Sequence, residues 1–169
     1  MQAYFAALAE AFSKYAQDNE AVDRVLTRDE ITQEEKSLNS VVHQFGVESY
    51  SLFQNAGYRG MYNMNLRELR KRKGVPEKRS PLDFMGTMES AANLLRLHLT
   101  EDKIKQEGCY GQRILEAAAE DIGGEVRGLL KRTINKTPEE LPPAPDIKKV
   151  HQGLKAASKG FRAIDKRPQ

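Results

Sequence analysis

The sequence predicts an all-α protein, on three observations. Apolar residues recur at intervals of three and four through most of the chain, which is the period of one face of a helix. Charged residues make up 30% of the 169 residues, and Trp is absent. β-Branched residues form few runs, so nothing in the sequence supports a sheet. We expect one compact bundle of about six to eight helices, with residues 4–26, 28–45 and 110–136 as the long ones.

The first predicted helix carries a stripe of aromatic and aliphatic residues at the N-terminus. Phe5, Leu8, Phe12 and Tyr15 follow Tyr4 at helical spacing, and a stripe of this density has to be covered. Other helices of the chain or a second copy can cover it. The second possibility leads us to expect a homodimer that forms through long helices.

Capping signals predict where later helices begin and end. The four residues from Thr27 to Glu30 have the form of a capping box, so a second helix should start near Arg28. Asn65 should cap a helix over residues 66–73 that Gly74 closes. In the same way, Thr100 is expected to cap a short helix that ends at Gly108.

Two glycines and two tyrosines follow a short helix predicted over residues 48–56. Gly57 and Gly60 permit unusual backbone angles or close approach, which indicates a compact loop built on stacked Tyr58 and Tyr62. The loop has two interpretations. It is a structural turn between helices, or its tyrosines are exposed and stack on nucleic-acid bases.

A basic segment lies directly after these tyrosines. Seven basic and two acidic residues occur between positions 67 and 79. The basic residues are Arg67, Arg70, Lys71, Arg72, Lys73, Lys78 and Arg79. Cations in the last turn of a helix also suit the helix dipole, so either a well-terminated surface helix or an anion-binding surface accounts for them.

The richest apolar segment follows and is expected to form the central core. Ser80 and Pro81 read as a helix cap and first position. Apolar residues then dominate from Leu82 to Leu99. Asn93 lies in this segment and should be a buried polar residue that finds a hydrogen-bond partner.

The C-terminal half combines one long helix with a proline-rich linker. Apolar residues continue at helical spacing from Tyr110, and the Gly123-Gly124 pair inside this pattern predicts a kink or a tight helix crossing. Three prolines at 142, 143 and 145 then mark a linker. We therefore divide the chain into a helical domain over 1–141 and a linker with a basic helix or tail over 142–169.

Charge and cysteine content restrict the class of protein. Residues 1–48 are acidic, with four Lys or Arg against nine Asp or Glu, whereas the remainder is basic. A basic surface can meet nucleic acid or an acidic protein. Cys109 is the single cysteine, which excludes a disulfide framework and fits a reducing compartment. We find no signal peptide and no membrane span, and expect a cytoplasmic protein.

Enzyme signatures are missing from the sequence. The three histidines are scattered, and no nucleophile and base pair, glycine-rich phosphate loop or metal-ligand spacing occurs. We therefore expect a protein that is not an enzyme and needs no cofactor or metal.

Several motifs carry a resemblance to a known family. They run in collinear order, and their residues are Phe53, Gln54, Asn55, Gly57, Gly60, Gly74, Asp83, Met85, Gly86, Glu89, Ala92 and Asn93. These motifs resemble the C-terminal region of the bacterial DNA-damage-inducible protein D (DinD) family, which is related to BRO-type phage antirepressors. The family usually carries an N-terminal BRO domain, and this chain begins just after the place where that domain would end.

The resemblance implies a regulator of the SOS response or of prophage induction that acts by binding. In one version it binds a protein partner. This partner is either a repressor, in which case the chain regulates transcription as an antirepressor, or the RecA filament. The alternative version binds DNA through phosphate contacts of the 67–79 segment and the C-terminal tail. DNA binding that belongs to the BRO domain is not implied here, and this favours the protein partner.

Overall fold

The computed structural model describes residues 19–153, and this part of the chain is all-α. Five helices, named here α1 to α5, span Asn19–Gln44, Tyr50–Tyr62, Leu66–Arg72, Thr87–Glu107 and Gln112–Ile134. Two 3-10 helices, Pro81–Phe84 and Pro138–Glu140, lie between and after them, and residues 147–153 are again helical. An isolated bridge between Met85 and Pro143 is the only β-type pairing within 19–153. The predicted fold class is therefore confirmed.

Helix α1 passes through the predicted helix start at Thr27 without a break, so that boundary was wrong. Ile31, Leu38 and Val42 continue the buried face of the same helix. A capping box needs an extended residue at the cap position, and burial of this face keeps the backbone helical instead. The predicted aromatic stripe of residues 4–15 lies outside the described residues.

Other local signals gave correct helix ends. Asn65 accepts a hydrogen bond from the Glu68 backbone N–H, and Glu68 accepts one from the Asn65 N–H in return. Gly108 ends α4 in the left-handed conformation. Thr100 was wrongly predicted as a cap, because α4 is continuous and the Thr100 hydroxyl donates to the Arg96 carbonyl inside it.

The helices form two antiparallel pairs, α1–α2 and α4–α5. The pairs pack side by side with their first helices, α1 and α4, pointing the same way. Glu20 contacts Thr87 and Ser37 contacts Glu101, so α1 and α4 run parallel. The two interhelical turns also meet. The Gln112 amide accepts from the Glu48 and Ser49 N–H groups and donates to the Ser49 carbonyl.

Helices α2 and α5 cross at a contact made of glycines. A Cβ on Gly123 would lie 2.7 Å from both the Gly57 oxygen and the Met61 nitrogen, and one on Gly60 would lie 2.0 Å from the Glu120 oxygen. The tight crossing predicted from Gly123 and Gly124 is therefore present. The predicted loop over residues 57–62 was wrong, since these residues form the second half of α2.

One hydrophobic core lies between the helices. It includes Phe53, Met61, Leu69, Met85 and Leu115, and the free thiol of Cys109 is buried within it. None of the helices described between residues 19 and 153 is both long and apolar enough to cross a bilayer.

The first part of the proline-rich segment packs on the helical body. The Ala144 N–H donates to the Phe84 carbonyl at 2.8 Å. Asp146 receives two hydrogen bonds from Arg79, at 2.5 and 2.7 Å. The division into 1–141 and 142–169 stays a prediction, because most of the basic tail lies beyond the described range.

Candidate interaction surface

A chain of buried polar groups runs through the middle of the bundle. The Glu89 carboxylate accepts from the Lys73 ammonium at 2.9 Å and from the Tyr62 hydroxyl at 2.8 Å. The Asn93 amide donates to the Tyr62 oxygen at 2.7 Å, and Arg96 donates to the Asn93 oxygen at 3.3 Å. The predicted role of Asn93 as a buried, hydrogen-bonded residue is thus confirmed.

Burial sets the protonation of this network. It raises the pKa of the Glu89 carboxyl, although the Lys73 ammonium opposes the change. It also raises the pKa of Tyr62 well above its ordinary value, with the Glu89 carboxylate acting in the same direction. Tyr62 therefore remains a neutral hydroxyl that holds two helices together.

The tyrosines are not a stacking surface for bases. Tyr58 and Tyr62 are 1% and 0% exposed, so the interpretation of exposed stacking groups was wrong. Their rings stack on each other with centroids 6.0 Å apart, and the Arg96 guanidinium lies over Tyr58 at 5.1 Å. The physical reason is the helical conformation of residues 57–62, which turns both rings toward α4 and the core.

Most of the family-motif residues occupy this interior. Phe53, Gly57, Asp83, Met85, Glu89, Ala92 and Asn93 are buried, and Gln54, Asn55, Gly60 and Gly86 are partly buried. Gly74 is exposed and has a positive φ of 64°. Asn55 accepts from the Leu66 N–H at 3.0 Å, and Asp83 accepts from Arg28. The motifs therefore position helices.

The basic segment divides into two groups. Lys73 forms a buried ion pair with Glu89. Arg79 binds Asp83 and Asp146, and this contact raises the pKa of Arg79 and lowers that of Asp146. Lys73 and Arg79 therefore stabilise the fold and are not available to an external anion.

The remaining cations of the segment stay on the surface. Arg67, Lys71, Arg72 and Lys78 are exposed and Arg70 is partly buried, and none of the five joins an ion pair within residues 19–153. Arg72 donates a long hydrogen bond of 3.4 Å to the Glu139 carbonyl. They form a basic patch that anions can reach.

Helix α4 differs from an ordinary surface helix, because polar side chains lie beside the buried Ala92, Leu97 and Ile104 on its inward side. Its inward side carries the polar residues Glu89, Asn93, Arg96 and Thr100, all at most 4% exposed. Its outward side carries Met88, Leu95 and Leu99, which are 53%, 39% and 39% exposed. We call these three residues, with the exposed Ala91 between them, the apolar row.

The apolar row corrects the predicted core of residues 82–99. Met88, Leu95 and Leu99 were assigned to the core because apolar residues are normally inward. The sequence did carry a sign of this exposure. Apolar residues occur on every side of this helix, and one buried face cannot hold them all.

No group of three or more His, Cys, Asp or Glu residues within 19–153 is arranged to hold a metal ion. The residues described above form instead an all-helical body with a polar interior and an apolar outer row. A family model, the DinD C-terminal domain, matches residues 18–150.

The chain belongs to the DinD C-terminal domain family. It is 33% identical over 155 residues to the DNA damage-inducible protein D of Escherichia coli (strain K12). This alignment covers 89% of the chain and 56% of the relative, so the chain spans little more than half of the length of that protein.

Proposed function

We propose that the chain is a non-enzymatic regulator in the bacterial DNA-damage (SOS) response, acting in the cytoplasm by binding a protein partner. Membership of the DinD C-terminal domain family and the name of the DNA damage-inducible relative support the response. The partner is either a repressor or the RecA filament. In the first case the chain acts as an antirepressor and releases the repressor from its operator.

The apolar row on the outer side of α4 carries this proposal. A helix that only stabilised the bundle would gain from burying the remaining 39% of Leu95 and Leu99, because full burial of an exposed leucine side chain is favourable by about 1.5–3 kcal/mol. It would also gain from exposing Glu89 and Asn93 to water. The chain instead leaves part of both leucines exposed and buries both polar residues. An apolar row kept at the surface is characteristic of a protein contact site.

Two purified systems test the proposal. In the first, the chain is added to RecA filaments on single-stranded DNA, and filament disassembly is followed by fluorescence. In the second, it is added to an operator complex of a damage-controlled or prophage repressor, and repressor release is followed by gel shift. We expect one of the two systems to respond.

Variants of the apolar row decide whether this surface is responsible. Leu95→Ser combined with Leu99→Ser should abolish the response, whereas Leu52→Ser should retain it, since Leu52 is 51% exposed on α2. Circular dichroism should show that all variants are folded. If the wild-type chain leaves both systems unchanged, the proposal is wrong.

A DNA-binding function is the second candidate, and the basic patch favours it. Five cations that make no ion pair within the described range are available for phosphate contacts. Such contacts predict binding that weakens steeply as the salt concentration rises.

The predicted homodimer is retained as part of the proposal, and a monomer mass from light scattering at micromolar concentration would exclude it.

A further inference from the structure

We propose that the apolar row binds an amphipathic helix of the partner whose flanks are basic. This inference rests on the proposed function, namely that the chain acts by binding a protein, and it names the chemistry of the bound segment.

The row has the dimensions of a helix-binding site. Met88, Ala91, Leu95 and Leu99 succeed one another at spacings of three, four and four, so they form a single line along α4. The line spans about 16 Å at 1.5 Å per residue. Three turns of a partner helix, with anchors at helical spacing, have the same length.

The α1 side of the row is acidic. The contacts from Glu20 to Thr87 and from Ser37 to Glu101 fix the register of the parallel pair. Residues 23 and 30 of α1 therefore lie at the level of residues 90 to 97 of α4. Both positions are exposed carboxylates, Asp23 and Glu30.

The α5 side of the row is acidic as well. Helices α4 and α5 contact each other and are joined by a turn at residues 108–111, so they run antiparallel. Asp121 lies near Lys103, where its charge adds to the larger effect of Glu107 in raising the pKa of that lysine. Glu125 lies one turn further along α5, and both carboxylates are exposed.

Few cations offset these carboxylates. Lys103 forms an ion pair with Glu107 at 2.9 Å, and Lys105 forms one with Glu101. On α5, Arg132 falls on the same side as Asp121, at the end nearest Met88. The central part of the row is thus bordered by Asp23, Glu30, Asp121 and Glu125.

The acidic borders of the row favour one kind of bound molecule over two others. A second copy bound through the same surface would bring two acidic borders together, because a twofold contact pairs each patch with itself. Nucleic acid would meet the same repulsion. A helix with an apolar face and basic flanks places opposite charges against both borders and buries the row.

Two synthetic peptides test the inference. Both are amphipathic helices with the same leucine face, and their remaining positions are lysine in one and glutamate in the other. Binding to the full chain is measured by fluorescence anisotropy at two salt concentrations. We expect the lysine peptide to bind more tightly at low salt and the glutamate peptide not to bind.

Variants then locate the binding site. Leu95→Ser with Leu99→Ser should weaken binding of the lysine peptide by about tenfold or more. Asp121→Asn with Glu125→Gln should weaken it and reduce its dependence on salt. Leu52→Ser is the control for a loss of exposed apolar surface.

Three results would overturn the inference. They are equal binding of the two peptides, no binding of the lysine peptide to the full chain, and a dimer in light scattering that the Leu95→Ser and Leu99→Ser changes dissociate. The last result would assign the row to a second copy. Failure of the proposed function is a separate result, because it shows in the RecA and repressor assays of the wild-type chain.

Discussion

The neighbouring glycines of α5 should respond in opposite directions to the same substitution. Gly123 faces α2, and a Cβ there would lie 2.7 Å from two backbone atoms. Gly124 faces away, and a Cβ there meets nothing within 4 Å. The pair therefore offers a test of the helix crossing in which each position is the control for the other.

The expected magnitudes follow from two effects. Alanine is favoured over glycine inside a helix by about 1 kcal/mol, and this gain is common to both variants. Gly124→Ala should therefore raise the free energy of unfolding by about 0.5–1 kcal/mol. Gly123→Ala also forces α5 away from α2, and overpacking of this kind costs about 1–3 kcal/mol. The difference between the variants should equal that cost.

Urea unfolding followed by circular dichroism measures both free energies. Equal slopes with urea concentration would show that the two variants can be compared directly. Gly60→Ala should be more destabilising than Gly123→Ala, because its Cβ would lie 2.0 Å from the Glu120 carbonyl oxygen. Equal stability of Gly123→Ala and Gly124→Ala would refute a tight crossing.

Three further outcomes can be measured. Lys73→Met should lower the free energy of unfolding by about 3 kcal/mol at neutral pH, and the loss should shrink as pH falls, because burial raises the pKa of Glu89 and a protonated carboxyl needs no cation. Asp146→Asn should cost about 1 kcal/mol at neutral pH. The hydrogen bond from Arg79 lowers the pKa of Asp146, so in thermal melts the difference from wild type should vanish as pH falls through that pKa. If the basic patch binds DNA, Lys71→Ala should reduce the salt slope by about one unit, and unchanged slopes would exclude this contact.

Features that depend on neighbouring residues were predictable from the sequence. The Asn65 cap needs only Glu68 three residues later, and the end of α4 needs only a glycine in the left-handed conformation. The long C-terminal helix was also found close to its observed limits, since its apolar residues keep helical spacing on both sides of the Gly123-Gly124 pair. In the first two cases the stabilising contact lies within one helical turn.

Features that depend on distant residues were not predictable. Thr27 and Thr100 carry good local capping signals, but both lie inside helices that packing keeps continuous. Gly57 and Gly60 suggested a loop because their partner, Gly123 of α5, is more than sixty positions away. A glycine in a helix usually costs stability. A Cβ on Gly60 would meet the Glu120 backbone of α5, and one on Gly57 would lie 2.3 Å from the Arg96 guanidinium of α4, so packing against two other helices explains why α2 contains both glycines.

Helix α4 links the buried polar network to the apolar row on the surface. Glu89 and Asn93 face inward because Tyr62 of α2 and Lys73 beyond α3 supply their hydrogen-bond partners. A buried network of this kind adds little net stability, yet removal of one member leaves another uncompensated. It therefore fixes the rotation of α4 about its own axis. With that rotation fixed, Leu95 and Leu99 cannot turn inward, and the network inside the bundle keeps the apolar row available outside it.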